Sequence, residues 1–247
     1  MIKYIILGII QGFTEFFPVS SSGHLVIAQR ALGMSGEELA ISIVLHLGTL
    51  FALIIFFFKD IIKLLGDLKT LALIILVTLI TGIIGIAGKD FFESLFSSPK
   101  LIAVAFAITG AILLFTRKFT EAKKPEANFK DAFILGFTQA LAIIPGISRS
   151  GATISTLLFR GIEWEACFRF SFLVSIPVIL GAALLEARKI DSLIQHDFTN
   201  LAMGFIFSLL SGLAALGILK RVMQRAKFYY FGYYCILLAL VTVLFIK

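Results

Sequence analysis

Two short stretches hold most of the residues able to do chemistry in this chain of 247 residues. The first, QGFTEFFPVSSSGH, covers residues 11–24 and offers Gln11, Glu15, Ser20, Ser21, Ser22 and His24. The second, PGISRSGAT, covers residues 145–153 and offers Ser148, Arg149, Ser150, Gly151 and Thr153. Gln11 and Glu15 stand four apart, so they share one helix face. Their oxygens suit a hard divalent cation such as Mg²⁺ or Ca²⁺. Arg149 is a planar fork that matches phosphate oxygens. Ser148, Ser150 and Gly151 at a helix start resemble a backbone N–H cradle for an anion. Three serines beside a histidine supply a nucleophile and a general acid/base. Cation, clamp, nucleophile and proton carrier are the parts of a phosphate-handling site.

Each part also has a plainer reading. Ser-Ser-Ser-Gly serves equally as a turn and helix N-cap. Glu15 and Arg149 also read as a structural ion pair joining the two stretches, and His24 as a satisfied interior histidine. Arg160, Arg169, Glu163 and Glu165 read as interfacial anchors, with Arg160 a second candidate for reaching phosphate. His46, in VLHLG, reads as packing or helix–helix hydrogen bonding, and His196, in IQHD, as solvated. Cys167 and Cys235 lie in apolar surroundings and read as small core or lipid-facing residues.

The elements that position these residues follow from composition. Hydrophobic residues make up 59% of the chain and charged residues 15%, against about 25% charged in soluble domains. Mean hydropathy is +1.02. Several apolar runs approach the roughly 20 residues that span a bilayer. A polytopic membrane protein follows, with no separate soluble domain. The net charge of +7 then reports topology and is no sign of a nucleic-acid partner. Lys3 runs into apolar and then polar residues without a small-residue cleavage site, so no removed signal peptide is expected.

Shifted by 128 residues, the chain matches itself at its polar and helix-breaking positions. Leu7-Gly8 falls on Leu135-Gly136, Gln11 on Gln139, Ser20 on Ser148, Ser22 on Ser150 and Gly23 on Gly151. The first repeat covers about 1–116 and the second about 129–247, within one membrane domain, 1–247. Helices are expected near 2–17, 21–32, 39–58, 70–87 and 99–116, then near 129–145, 149–160, 166–186, 199–219 and 228–246. The pairs 2–17 with 21–32 and 129–145 with 149–160 are too short for full spans: twelve residues rise only about 18 Å, against about 30 Å of hydrocarbon. They fit re-entrant helical hairpins, whose broken backbone needs protein or a watery cavity around it. Three spans per half then turn the second repeat upside down. The expected fold is all-α, with about six transmembrane helices plus two re-entrant hairpins meeting at the midplane.

Charge agrees with this layout. Lys59, Lys63, Lys69, Arg117, Lys118, Lys123, Lys124, Lys130, Lys220, Arg221, Arg225 and Lys227 fall on one side, the cytoplasm by the positive-inside rule. Lys3, Lys89, Lys100, Arg188, Lys189 and Lys247 fall on the other, and both termini lie outside. The tract KRVMQRAK before FYYFGYY reads as a cytoplasmic anchor with an aromatic belt.

QGFTEFFPVSSSGH and PGISRSGAT closely resemble the two signature motifs of the bacterial undecaprenyl-pyrophosphate phosphatases of the BacA (UppP) family. FSFLVSIPVILGA, residues 170–182, is similar to a third stretch of that family, and the resemblance covers essentially the whole chain. It implies a multi-pass plasma-membrane hydrolase that removes the terminal phosphate of undecaprenyl diphosphate. The monophosphate carrier is thereby recycled for peptidoglycan and other envelope polymers, with bacitracin resistance as a consequence. It also implies a divalent cation, a site open to the outer side, membrane lipids as surroundings, and room for a homodimer. The motif (Glu/Gln)-x-x-x-Glu falls on Gln11 and Glu15, so its first position brings no charge here. By the family pattern Ser21 is the nucleophile or a phosphate ligand, and His24 its acid/base partner. Ser148, Arg149 and Thr153 then fall in the phosphate-binding set, with Ser20, Ser22, Ser150 and Gly151 beside them. A rival reading is a transporter or flippase of a lipid phosphate or other anion, which would use the same midplane site without chemistry. The Ser–His motif favours the hydrolase, since a carrier needs no nucleophile.

Overall fold

The computed structural model describes residues 1–34, 38–95, 98–119, 124–186 and 198–245. His196 and the charges at Lys123, Arg188, Lys189 and Lys247 lie outside the described residues, as does most of the 187–198 loop. The described elements are helices: α1 (Ile2–Phe16), α2 (Ser21–Ala31), α3 (Glu38–Phe56), α4 (Phe58–Leu64), α5 (Leu68–Ala87), α6 (Lys89–Leu95), α7 (Pro99–Phe115), α8 (Phe129–Leu141), α9 (Arg149–Phe159), α10 (Trp164–Glu186), α11 (Phe198–Gln224) and α12 (Tyr230–Phe245). One short 3₁₀ turn, Thr116–Lys118, extends α7.

Local chemistry explains the boundaries. Pro18 follows α1 and disfavours helix in the residue before it. Ser20 caps α2 by accepting from Gly23 N, and Ser148 caps α9 by accepting from Gly151 N. Asn128 and Asp131 form a reciprocal capping box at the start of α8. That helix stops at Leu141, short of the expected 145. Tight turns then lead into Pro145 and Gly146, whose φ of +97° suits glycine. The span expected over 39–58 instead breaks at Phe57, and α3 and α4 meet at 73°. No proline or glycine marks that break. At the other end of the chain, α11 runs five residues past the expected 219, since Lys-Arg-Val-Met-Gln contains nothing to stop a helix.

Among the described residues, four helices are long and apolar enough to cross a membrane: Leu68–Ala87, Pro99–Lys118, Trp164–Leu185 and Phe198–Gln224. The bent α3–α4 pair makes a fifth if counted as one span. The expected sixth, α12, has 16 described residues, a rise of about 24 Å. The protein is an all-α membrane protein.

Packing partners correspond between the halves. Helix α1 lies along α11 and α8 along α5, while α3 meets α11 and α10 meets α5. Gly8 lets α1 approach α11 so closely that a Cβ there would stand 2.5 Å from Gly204 O; Gly136 seats α8 against Ile80 in the same way. Small residues at such crossings are what lipid-embedded helices pack with. The largest buried cluster draws on both halves, from Phe16 and Leu53 to Phe172, Leu216 and Cys235. Both cysteines are buried and free, as expected.

Candidate active site

The two hairpin tips touch. Gly146 N donates to Ser20 Oγ (3.1 Å) and Ser150 Oγ donates to Phe17 O (3.2 Å). Residues 128 apart make matching bonds: Ser20 and Ser22 hydroxyls are 3.2 Å apart, and Ser148 and Ser150 hydroxyls 3.3 Å. Ser20 adopts φ +68°, a left-handed conformation costly for a residue with a Cβ. That twist turns the chain so that Ser21 faces back toward α1.

Glu15 is the hub. Its Oε1 accepts from Arg149 Nη2 at 2.6 Å, and its Oε2 accepts from Ser21 Oγ at 2.7 Å and Gln11 Nε2 at 3.1 Å. His46 Nε2 stands 3.7 Å from the same Oε2. The ion pair is enclosed, with the Arg149 side chain 15% and the Glu15 side chain 7% exposed. Arg149 Nη1 is buried with no hydrogen-bond partner among the described residues. An uncommitted guanidinium donor beside a hydroxyl is an invitation to an anion. Phe172, from the stretch 170–182, lies under the guanidinium at 5.8 Å from its ring centroid and fixes its plane.

The expected site residues divide into two groups. Glu15, Ser21, Arg149 and Gln11 come together as one constellation. Ser20, Ser22, Ser148, Ser150 and Thr153 have hydroxyls engaged within the protein. Thr153 Oγ1 bonds Ser171 Oγ at 2.6 Å and donates to Arg149 O at 2.8 Å. Ser20, Ser148, Ser150 and Thr153 are also buried. Gly151 tucks in beside Pro18. These residues form the scaffold that aims Arg149 and Ser21, and for Ser20 and Ser148 the plainer N-cap reading holds. Arg160 does not reach the site: its Nε pairs with the buried Asp131 at 2.6 Å.

The expected Ser21–His24 partnership gives way to another. Ser21 bonds Glu15, whereas His24 uses Nδ1 on Ser20 O (2.8 Å) and Nε2 on Tyr234 Oη (2.7 Å). The cause is helical geometry: His24 is on the first turn of α2, held by the carbonyl four residues back. Sequence reasoning also missed His46 as a site residue. The available signal was an imidazole within an apolar span, but nothing in the sequence says that its face of α3 meets Glu15.

For a divalent cation, the donors at hand are hard oxygens, as Mg²⁺ or Ca²⁺ requires. Gln11 Oε1 is buried without a partner, one helical turn from the Glu15 carboxylate. No group of three or more His, Cys, Asp or Glu among the described residues could hold a metal. The residues fit an ion that completes its shell with substrate oxygens and water.

Comparison with known proteins gives the family. An undecaprenyl-diphosphatase of Halothermothrix orenii is 41% identical over 98% of this chain and 96% of its own length. One from Carboxydothermus hydrogenoformans is 41% identical with the same coverages, and one from Methanococcus vannielii is 40% identical over 98% of this chain and 99% of its own. The family described as bacitracin resistance protein BacA matches residues 4–241. With the family match and these relatives covering nearly its whole length, the chain belongs to the BacA family.

Proposed function

We propose that this chain is a membrane phosphatase that hydrolyses undecaprenyl diphosphate to undecaprenyl monophosphate and phosphate, renewing the lipid carrier for cell-envelope synthesis. The names of its relatives support that substrate. The observation that carries the reading is the one carboxylate, Glu15, that receives Ser21 from the first hairpin and Arg149 from the second.

Ser21 Oγ attacks the terminal phosphorus as Glu15 Oε2 takes its proton. The bond from that phosphorus to the bridging oxygen breaks, and the lipid monophosphate leaves with the electron pair. Glu15 passes its proton to the leaving group or to solvent. Water then hydrolyses the phosphoserine; one proton returns through Glu15 to Ser21 Oγ and the other stays on the phosphate. Arg149, through Nη1, meets the non-bridging oxygens where charge collects. Glu15 and Gln11, with the diphosphate itself, would hold a Mg²⁺ or Ca²⁺ ion, which supplies further neutralisation of the phosphate oxygens. The hairpin carrying Ser21 enters from the outer side of the plasma membrane, both termini lie outside, and the second repeat is inverted. The lysine and arginine distribution supports that orientation.

The test is phosphate release from undecaprenyl diphosphate by detergent-purified protein, with and without EDTA, beside Ser21→Ala and Arg149→Ala. Metal-dependent release that disappears in both variants is the expected result. No release from folded wild type would leave a carrier of the same lipid as the better reading. Phosphate found on Ser21 after acid quench marks the covalent route; its absence marks direct attack by water held between Ser21 and Glu15.

A further inference from the structure

One polar pair stands apart from Glu15, Ser21 and Arg149. His24 Nε2 and Tyr234 Oη are 2.7 Å apart, and the two rings are stacked with planes 6° apart. Since Nδ1 faces the Ser20 carbonyl, which can only accept, Nδ1 carries the proton of the neutral ring. Nε2 is then the acceptor and the tyrosine hydroxyl the donor. Helix α12 is pinned to the first hairpin on either side of this bond. Phe231 packs on Phe17 with centroids 5.1 Å apart, and Cys235 Sγ points at Pro18 O (3.5 Å). Phe231 and Cys235 pack against the first hairpin, and Tyr234, beside them on α12, stands exposed at the edge of that contact.

The pair lies at the edge of a cavity of about 340 Å³ between α1, α2 and α12, whose other walls include Ile9, Phe13, Ile27, Ala28 and Leu238. Thr14 is the one further polar lining residue, and its hydroxyl is tied to Ile10 O at 2.6 Å. The cavity is thus apolar with a single polar end. Ile6 and Ile9 on α1 and Leu237 and Val241 on α12 are exposed, so it opens sideways toward hydrocarbon. His24 is three residues from Ser21 on α2, a spacing that puts Cβ atoms about 5–6 Å apart.

We propose that Tyr234 is a positioning residue that holds His24 at the polar end of this groove, and that the groove takes the first isoprene units of the diphosphate lipid. The proposal rests on the phosphatase reading above. A lipid diphosphate must bring its head to Ser21 and Arg149 while its chain stays in hydrocarbon. A lateral apolar groove one helical turn from Ser21 meets both demands. Its volume lies within the range of small-ligand pockets and suits the leading units of the chain, with the remainder in the bilayer. An ordinary phospholipid acyl chain would find the same walls but would gain nothing from the adjoining diphosphate site.

The test compares kinetics on undecaprenyl diphosphate and on isopentenyl diphosphate, whose five-carbon chain is a single isoprene unit. Tyr234→Phe keeps the ring and loses the hydroxyl; KM for undecaprenyl diphosphate should rise about tenfold, the worth of one hydrogen bond at the upper end of its range, with kcat unchanged. In a His24→Asn background the same substitution should cost nothing more, because it acts through His24. Ile9→Trp, at a partly exposed position, should raise KM for the long substrate about tenfold or more and leave the short one within twofold. A normal KM in Tyr234→Phe, or an equal rise with and without His24, overturns the positioning role. An unchanged KM in Ile9→Trp, or equal losses on both substrates, overturns the groove. In unaltered protein, a diazirine on the first isoprene unit of undecaprenyl diphosphate should label the α12 segment; labelling only elsewhere overturns the groove without any variant, and displacement of that label by phospholipid alone does so too. Wild type that hydrolyses neither substrate defeats the phosphatase reading itself, and this proposal with it.

Discussion

Replacing Arg149 with lysine separates the two jobs that the structure gives this residue. Arg149 Nη2 ties the hairpins through Glu15 at 2.6 Å, while Nη1 is buried and unpartnered. Lysine keeps the positive charge but offers one ammonium in place of a fork. Its three donors radiate from one nitrogen, so it cannot occupy the separate Nη2 and Nη1 positions that face Glu15 and the phosphate. The tie should therefore survive and the clamp should not. Losing one such preorganised contact costs about 10²-fold in kcat, or roughly 2.7 kcal/mol at 1.36 kcal/mol per decade. Arg149→Ala removes both and leaves a carboxylate that is 7% exposed without its closest cation. Breaking a buried pair costs about 3–5 kcal/mol, and the bonds from Ser21 and Gln11 to Glu15 place the result toward the lower end. The assay is phosphate release in detergent micelles, read beside the thermal midpoint of the same samples. Arg149→Lys should unfold near wild type with kcat down about 10²-fold, and Arg149→Ala should lose both. If Arg149→Lys keeps kcat within about threefold, the free Nη1 is not used on phosphate and the residue is only a tie.

Ser21→Ala removes one hydroxyl bond, worth about 1 kcal/mol, so it should stay folded while phosphate release falls to background; retention of more than about a tenth of wild-type kcat would remove Ser21 from the chemistry. Gly8→Val should yield no monodisperse protein, because its Cβ would stand 2.5 Å from backbone at Gly204, whereas Gly217→Ala, with open space around it, should purify normally. Asp131→Asn breaks the pair with Arg160 and the 3.4 Å contact with Lys124; the thermal midpoint should drop while kcat and KM stay within about twofold, since neither partner belongs to the tips.

Most helices were legible because apolar runs and Pro breaks mark them without help from tertiary structure. Residues 2–17, 21–32 and 149–160 were expected helical, and α1, α2 and α9 end within one residue of those bounds. The Phe57 bend was not legible, since Phe-Phe-Phe-Lys-Asp contains no breaker. Site chemistry was legible as residue types and illegible as partnerships. Ser21 and His24 are neighbours in the motif, yet their hydrogen bonds run to different helices. His46 and Tyr234 join the first hairpin only through contacts spanning about 30 and 210 positions, which no local pattern encodes. Two of the serines that looked like ligands, Ser20 and Ser148, are caps, because a helix that starts away from water must satisfy its own free N–H groups first.

The repeat offers a reason for the way the site is divided. Under the 128-residue offset Ser21 corresponds to Arg149: each follows the capping serine, at the first position of α2 and of α9. One carboxylate lies between these equivalent positions, taking Ser21 on Oε2 and Arg149 on Oε1. Its own counterpart, Ile143, carries no charge. Two turns in matching register thus present a hydroxyl and a cation to one base. Equivalent positions predict that the two side chains are exchangeable for folding though not for turnover. Ser21→Arg alone crowds two guanidiniums around a single carboxylate and should lower the thermal midpoint. Adding Arg149→Ser restores one cation and one hydroxyl to Glu15 and should recover much of that loss, a coupling of about 1–3 kcal/mol between the sites. A double variant no more stable than Ser21→Arg would show that the two positions are alike in sequence register only, and that Glu15 reads them as different surroundings.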